Sequence, residues 1–416
     1  MARLTAVFGS GVTDTLQLAG IGNDECGYYF ARQGTNFGIL HRERSKREIR
    51  SFTITSPPAG AATVVVTLDG KSISVPINGG GSNNQTSYQL SQADYSQVGS
   101  GWTAESIDGI VYFTSKIPGP FAGSFTMTNG GSIATMATVQ SGTLPTQTFI
   151  SQSQWNVDTM DGNGPSRFTI NPAQGNIYGI GFQYLGFGNP FFSIEDPETG
   201  LLTSCHMIKS ANSRITTIVK NPQMTAKWQA INSGSSATSV SIKGASAGVF
   251  TEGIVTRNIG PAFATTVERT GIANDIDTNL VPVLTVRANT IFQGQSCYGE
   301  VDPFNLSIGS DTGSASSTIL LKVSIYKNAG LTGPVNFQHV DSTRSIAAVD
   351  TAATGLTVTS RTQLIKTLVI AANQSEILKL ADENFFLTSG ETITIACQTN
   401  KNTTDVIATI SWFEDQ

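Results

Sequence analysis

The pentapeptide Asp196-Pro-Glu-Thr-Gly200 constrains the fold of this chain more than any other feature. Pro197 presets φ for the second position of a tight turn, and Gly200 suits its last position. The flanking runs, Phe191-Phe-Ser-Ile-Glu195 and Leu201 to Ile208, are therefore expected to fold back on one another as a hairpin. The same rhythm continues on both sides. Ile180-Gly-Phe-Gln-Tyr184 precedes the hairpin; a polar loop (Ser210-Ala-Asn-Ser-Arg214), a strand around Met224 to Ile231 and Ser239-Val-Ser-Ile-Lys243 follow it. Short strands separated by Gly, Pro, Asn and Ser describe an antiparallel sandwich, placed at residues 131–255.

Composition points the same way. Charged residues make up 13% of the 416, and Gly reaches 42, which leaves too few helix formers for a bundle and suits strands and turns. About 150 residues per domain gives about three domains. A net charge of −5 and a pI near 5.3 argue against a nucleic-acid-binding chain, because neutralising phosphates needs clustered Lys and Arg. The one basic cluster, His41-Arg-Glu-Arg-Ser-Lys-Arg-Glu-Ile-Arg50, is expected to be a solvated strand or linker in which Glu43 and Glu48 pair locally. Cys26, Cys205, Cys297 and Cys397 are widely spaced with no CxxC, so free, buried thiols and assembly in a reducing cytoplasm are expected. Met1-Ala-Arg-Leu-Thr-Ala-Val-Phe8 does not have the form of a signal peptide, and no run approaches the roughly 20 apolar residues of a membrane span.

Taken in order, residues 1–50 read as an extended N-terminal arm, broken by Gly9, Gly11, Gly20, Gly22 and Gly27 and anchored by Tyr28-Tyr-Phe30 and Phe37-Gly-Ile-Leu40. Residues 51–130 read as a small α+β module in the order β-β-β-α-β-β-β. Asp69-Gly70 and Asp108-Gly109 mark its type I′ hairpins, Thr86 to Val98 is its helix, and Pro76 marks a strand end or sheet edge. Residues 256–416 show the clearest alternation. Ile319, Leu321, Val323 and Ile325 share one face, as do Ile393, Ile395 and Cys397, and Val406, Ala408, Ile410 and Trp412. Some eight strands there fit a jelly-roll-like sandwich. Both faces of the last strand and of Leu364 to Ile370 are partly apolar, which calls for cover by a second sheet or subunit. The expected class is mainly β and multidomain: two antiparallel β-sandwich (jelly-roll-like) domains after the module and arm.

Several of these segments resemble a known group. Phe52-Thr-Ile-Thr55, Val65-Val-Thr-Leu-Asp-Gly70, Gly101-Trp-Thr-Ala104, Val111-Tyr-Phe-Thr-Ser115 and Gly123-Ser-Phe-Thr-Met127 look like a small module of virion proteins from tailed phages and large double-stranded DNA viruses. Phe192 to Gly200, Lys209-Ser-Ala-Asn212, Ile242-Lys-Gly-Ala-Ser246, Leu321 to Asn328, Asn336 to Thr343 and Ile410-Ser-Trp-Phe-Glu414 resemble later parts of such proteins. The resemblance implies a particle component, a fibre, spike or surface and tail appendage, located in the virion. It brings no active-site residue onto this chain.

Chemistry-bearing patterns are weak. His41, His206 and His339 fall in three regions, and Cys205-His206 would point to opposite faces of a strand. Asp158, Asp161 and Asn163 miss the 1-3-5 spacing of a calcium loop, and Thr169 stands where its final Glu belongs. No GxSxG elbow occurs, Gly79-Gly-Gly-Ser82 lacks the Lys of a phosphate loop, and Glu195, Asp196 and Glu252 form no defined acid/base pair. Trp155, Tyr184, Phe187, Phe191 and Phe192 are candidates to stack on a sugar, but core packing is the favoured assignment, with Phe187 and Phe191, flanking Gly188-Asn-Pro190, the expected exposed exceptions. No catalytic, metal or cofactor residue is assigned, and no ligand-binding residue is named. The expected partners are further copies of the chain, as a trimer or filament, and other virion proteins, with no nucleic acid and no membrane insertion. A host receptor or glycan is the alternative partner, and polysaccharide degradation the least favoured activity.

Overall fold

The computed structural model describes every residue except Asp24, 79–80, 184–185, 220–223, 235–238, 251–259, 270–275, 312–318, Ala372, Asn384, 401–403 and Gln416. In chain order the first four strands are β1 (Ala2–Phe8), β2 (Thr15–Gly22), β3 (Gly27–Gln33) and β4 (Asn36–Glu43). Next come β5 (Arg47–Ile54), β6 (Ala62–Leu68), β7 (Lys71–Ile77), helix α1 (Asn83–Ser91), β8 (Trp102–Ile107), β9 (Ile110–Pro118), β10 (Thr126–Thr128) and β11 (Ala134–Gln140). β12 (Thr146–Ser151), β13 (Asn176–Gly181), β14 (Phe191–Glu195), β15 (Leu202–Met207), β16 (Thr225–Asn232), β17 (Ile242–Lys243) and β18 (Ala247–Val249) follow.

The chain divides into two compact units. Residues Met1–Arg47, Pro118–Pro120 and Gly142–Thr256 form the first. Its sheets run β15-β14-β13-β1-β17, with β18 also on β1, and β12-β4-β3-β2-β16. The expected extended arm at residues 1–50 is thus corrected to strands of this unit's own sheets: β1 pairs with β13 (Ala2↔Ile180), β4 with β12 and β2 with β16 (Thr15↔Asn232). Phe8, Tyr28, Phe30 and Phe37 share one core with Trp155, Tyr178 and Phe192. The glycines that resembled breaks are close approaches inside or beside strands. A Cβ on Gly20 would lie 2.1 Å from the Tyr28 carbonyl oxygen, and one on Gly22 would lie 2.0 Å from the Tyr29 hydroxyl. The Asp196–Gly200 turn joins β14 to β15 as expected, with the Gly200 N–H donating to the Asp196 carbonyl at 2.8 Å and Gly200 at φ +68°.

Glu48–Ile117, Phe121–Ser141 and Arg257–Gln416 form the second unit. Its module has sheets β10-β6-β7 and β11-β5-β9-β8. Both hairpin turns have the required positive φ: Asp69 +50° and Gly70 +74°, Asp108 +51° and Gly109 +75°. Pro76 lies on an edge strand. Helix α1 begins earlier and ends sooner than Thr86–Val98. The Ser82 hydroxyl caps it by accepting the Gln85 N–H at 3.1 Å, and residues 95–101 instead form turns.

The remaining strands are β19 (Ala262–Arg269), β20 (Val281–Ala288), β21 (Ile291–Phe292), β22 (Gln295–Ser296), β23 (Glu300–Asp311), β24 (Leu320–Lys327), β25 (Gly330–Thr332) and β26 (Gln338–His339). They continue with β27 (Ala347–Asp350), β28 (Gly355–Thr357), β29 (Gln363–Ala371), β30 (Ser375–Lys379), β31 (Thr392–Thr399) and β32 (Asp405–Asp415). One sheet is β19-β32-β23-β30, and the other contains β20-β31-β24-β29, with β27 and β26 added beside β20. With β19, β20, β23, β24, β29, β30, β31 and β32 counted in order, this is first-eighth-third-sixth over second-seventh-fourth-fifth, the jelly-roll order. Leu306, Ile308, Leu321, Val323, Ile325, Ile393, Ile395, Val406, Ile410 and Trp412 fill the space between the sheets. The alternating faces read from the sequence are the buried ones.

Candidate functional site

The first unit collects most of the sequence-nominated groups, and it uses them for packing. His41 is buried, stacked on Tyr28 at 5.1 Å between centroids with the rings 10° apart. Burial pushes its imidazole down to about 4, with Glu43 acting upward and Arg214 downward. Glu43 pairs with Arg214 at 2.8 Å, not within the basic cluster, whereas Glu48 does pair locally with Arg50. The expected solvated strand is therefore corrected. His41, Arg42, Ser45 and Glu48 are all buried, since this segment supplies the end of β4 and the start of β5.

Cys205 and His206 are both buried. The thiol donates to the Phe192 carbonyl at 3.3 Å, and burial pushes its pKa far up; the His206 Nδ1 accepts the Asn156 N–H at 3.2 Å. Asp158 is buried and accepts the backbone N–H groups of Met160 and Ser166, each at 2.8 Å. Asp161 accepts those of Asn163 (3.0 Å) and the Thr159 hydroxyl (2.9 Å). These carboxylates pin a loop. Among the described residues no group of three or more His, Cys, Asp or Glu is placed to hold a metal ion, and none of the four cysteines is in a disulfide, three of them being buried. Trp155 and Phe192 are core, Phe191 is half-buried and Phe187 is exposed. Tyr184, Glu252 and Gly79-Gly80 lie outside the described residues.

In the second unit, sequence reasoning missed a buried ion pair. Arg287 on β20 meets Glu105 on β8 at 3.1 Å, its guanidinium lies 4.0 Å from the Phe337 ring centroid, and its Nη2 donates to the Ser106 carbonyl at 2.8 Å. Burial lowers the Arg287 pKa while Glu105 opposes that shift. Tyr88 of α1 donates to the Leu331 carbonyl at 3.1 Å and packs with Val335, Phe337 and Ala348. These contacts fasten the module to the jelly roll. With the partners far apart in sequence, only the topology reveals them.

The jelly roll leaves apolar side chains exposed on the outer faces of both of its sheets. Leu320, Leu364, Val369, Ile377 and Ile407 are between 44% and 72% exposed. Leu320, Val369 and Leu364 share the outer face of β24 and β29, opposite Ala371, Lys322 and Tyr326. Ile377 and Ile407 stand on the outer face of the other sheet, paired with Ser307 and Gly309, which are too small to cover them. The partly apolar outer faces read from sequence thus keep these side chains exposed among the described residues. Scattered apolar side chains are ordinary, whereas apolar side chains on adjacent strands, as Leu320 and Val369 are on β24 and β29, are a marker of contact surface.

No known protein family and no curated protein matches this chain. Solved structures that it is similar to include proteins of infectious bursal disease virus. They include the VP2 subviral particle of infectious bursal disease virus, at 11% identity and a TM-score of 0.17, covering 100% of this chain and 75% of that one. The Gx strain of the same virus also gives 11% identity and a TM-score of 0.17, covering 100% and 71%. Scores this low carry no argument for fold or role, and the architecture rests on the strand order of the chain itself. They also come from a different kind of virus than the sequence motifs resemble.

Proposed function

We propose that this chain is a virion structural protein that associates with copies of itself, as an oligomeric fibre, spike or surface and tail appendage, and that it catalyses no reaction. The observation that carries the reading is that the outer faces of a packed jelly roll expose apolar side chains, Leu320, Leu364 and Val369 on one sheet and Ile377 and Ile407 on the other. Jelly rolls recur in viral coats but also in lectins and cupins, so the fold alone does not decide. The interior favours the structural reading: apolar side chains fill the space between the sheets. Burial of further apolar area on assembly stabilises by roughly 25 cal/mol per Å², which gives such faces a use. Negative-stain electron microscopy of the purified chain tests this. Regular particles or fibres are expected; a uniform field of single subunits would overturn the proposal.

A further inference from the structure

Self-association needs a joining surface, and the distribution of charge singles one out. From Ile117 to Val157 the chain has no Asp, Glu, Lys, Arg or His, where 13% charged residues would give about five. Strands β10, β11 and β12 fall inside this segment, and each is the edge of its sheet. An edge strand offers unpaired N–H and C=O groups to any passing strand, and folded proteins guard such edges with charge, Pro, brevity or cover. Other edges in this chain follow that practice: β7 carries Lys71 and Pro76, β16 carries Lys227, β29 carries Lys366, and β30 carries Glu376 and Lys379. β15 lacks such charges but is covered, since Val157 and Asp158 donate to the Cys205 carbonyl at 3.1 and 3.0 Å and Asn156 brackets Met207.

β11 is guarded differently from all of these. It reads Ala-Thr-Met-Ala-Thr-Val-Gln, and Thr135, Met136, Ala137 and Thr138 are consecutive exposed residues. One side is taken by β5, in regular register from Ala134↔Ile54 to Thr138↔Arg50, and a bulge follows. β10 is only three residues long, and the last three residues of β12 are half-buried. Among the described edge strands, only β11 combines length, exposure and the absence of charge.

We propose that β11 is a sheet-extension site and that its occupant is β11 of a second copy, paired antiparallel about a two-fold axis at Met136. This rests on the self-assembly reading and adds a contact to it, separate from the apolar outer faces of the jelly roll. The choice of a second copy follows from charge. Antiparallel self-pairing sets Met136 against Met136 and Thr135 against Ala137, so any charge at the axis would face itself. A strand without charges is self-compatible, and Thr and Met suit the exposed ribbon. Pairing would join the β8-β9-β5-β11 sheets of two copies into one continuous sheet, with backbone hydrogen bonds supplying the contact.

Size-exclusion chromatography with light scattering of the full chain tests this, using Met136→Lys, Met136→Glu, and Thr148→Lys on β12 as control. The wild type is expected to run as a multiple of the 43.9 kDa chain. Each Met136 variant should lose at least half that mass with an unchanged circular dichroism spectrum, an equimolar mixture of the two should recover it, and Thr148→Lys should keep it. Recovery by mixing also shows that the variants are folded. An assembled wild type whose mass survives Met136→Lys, or falls only with Thr148→Lys, overturns the β11 contact and leaves self-assembly standing. A monomeric wild type overturns both.

Discussion

The two sandwiches of this chain share a plan and differ in how the sequence supplies it. In the jelly roll, residues 257–416 give both sheets from one continuous segment, and the core is aliphatic apart from Trp412 and a few half-buried aromatics. In the other, β1–β4 and β12–β18 are separated in sequence by a whole module, and the core is aromatic, built from Phe8, Tyr28, Phe30, Phe37, Trp155, Tyr178 and Phe192. Continuity makes alternation legible, because the partners of each strand are close by. An interrupted sandwich presents its first half as a segment with anchors but no apparent core.

The largest effect should come from deleting residues 1–47. That removes β1 from one sheet and β2–β4 from the other, together with four of the seven aromatic residues named above. The first sandwich should then fail to form, and calorimetry of the shortened chain should lose one transition while retaining that of the jelly roll. Persistence of every transition would restore the arm.

Next in size is Glu105→Ala. Removing one partner of a buried ion pair costs about 3–5 kcal/mol, because Arg287 is left buried and unpaired. Urea unfolding should show that loss in the unit containing the jelly roll and leave the aromatic sandwich unchanged. A change below about 1 kcal/mol would mean that water reaches the guanidinium.

The aromatic sandwich should in turn be the acid-sensitive one. Unfolded, His41 takes its proton near 6.5; folded, only near 4. The unfolded state binds more protons between those values, so stability should fall as pH drops from about 6.5 to 4, by up to about 3 kcal/mol. Glu43 adds to the loss further down. Burial raises its pKa, but Arg214, His41 and Arg44 outweigh that and hold it below its ordinary value. His41→Gln should flatten the upper part of this slope in pH-dependent melts. The smallest effect belongs to Asp158→Ala, which leaves the Met160 and Ser166 N–H groups without their acceptor at about 1–3 kcal/mol. It should lower only the first unit's transition.

These contrasts mark what was legible. The turns at Asp69-Gly70, Asp108-Gly109 and Asp196–Gly200 stood out because few residues adopt positive φ without strain. The faces led by Leu321, Ile393 and Val406 stood out because a strand buried on one side repeats every second residue. Gly20 and Gly22 misled because a glycine required by a close approach is identical in sequence to one required by a bend. The basic cluster at 41–50 misled for a related reason: Glu43 lies near several cations in sequence, yet pairs with Arg214, brought to it by folding. No local pattern could have joined Glu105 to Arg287. The exposed outer faces were half visible, since their apolar residues could be read but not whether this chain covers them.

Sedimentation velocity of the intact protein, over about a hundredfold range of concentration, tests the central claim most directly. The account predicts a discrete species at a whole-number multiple of 43.9 kDa that persists on dilution into the micromolar range. A single species at the mass of one chain throughout would contradict it.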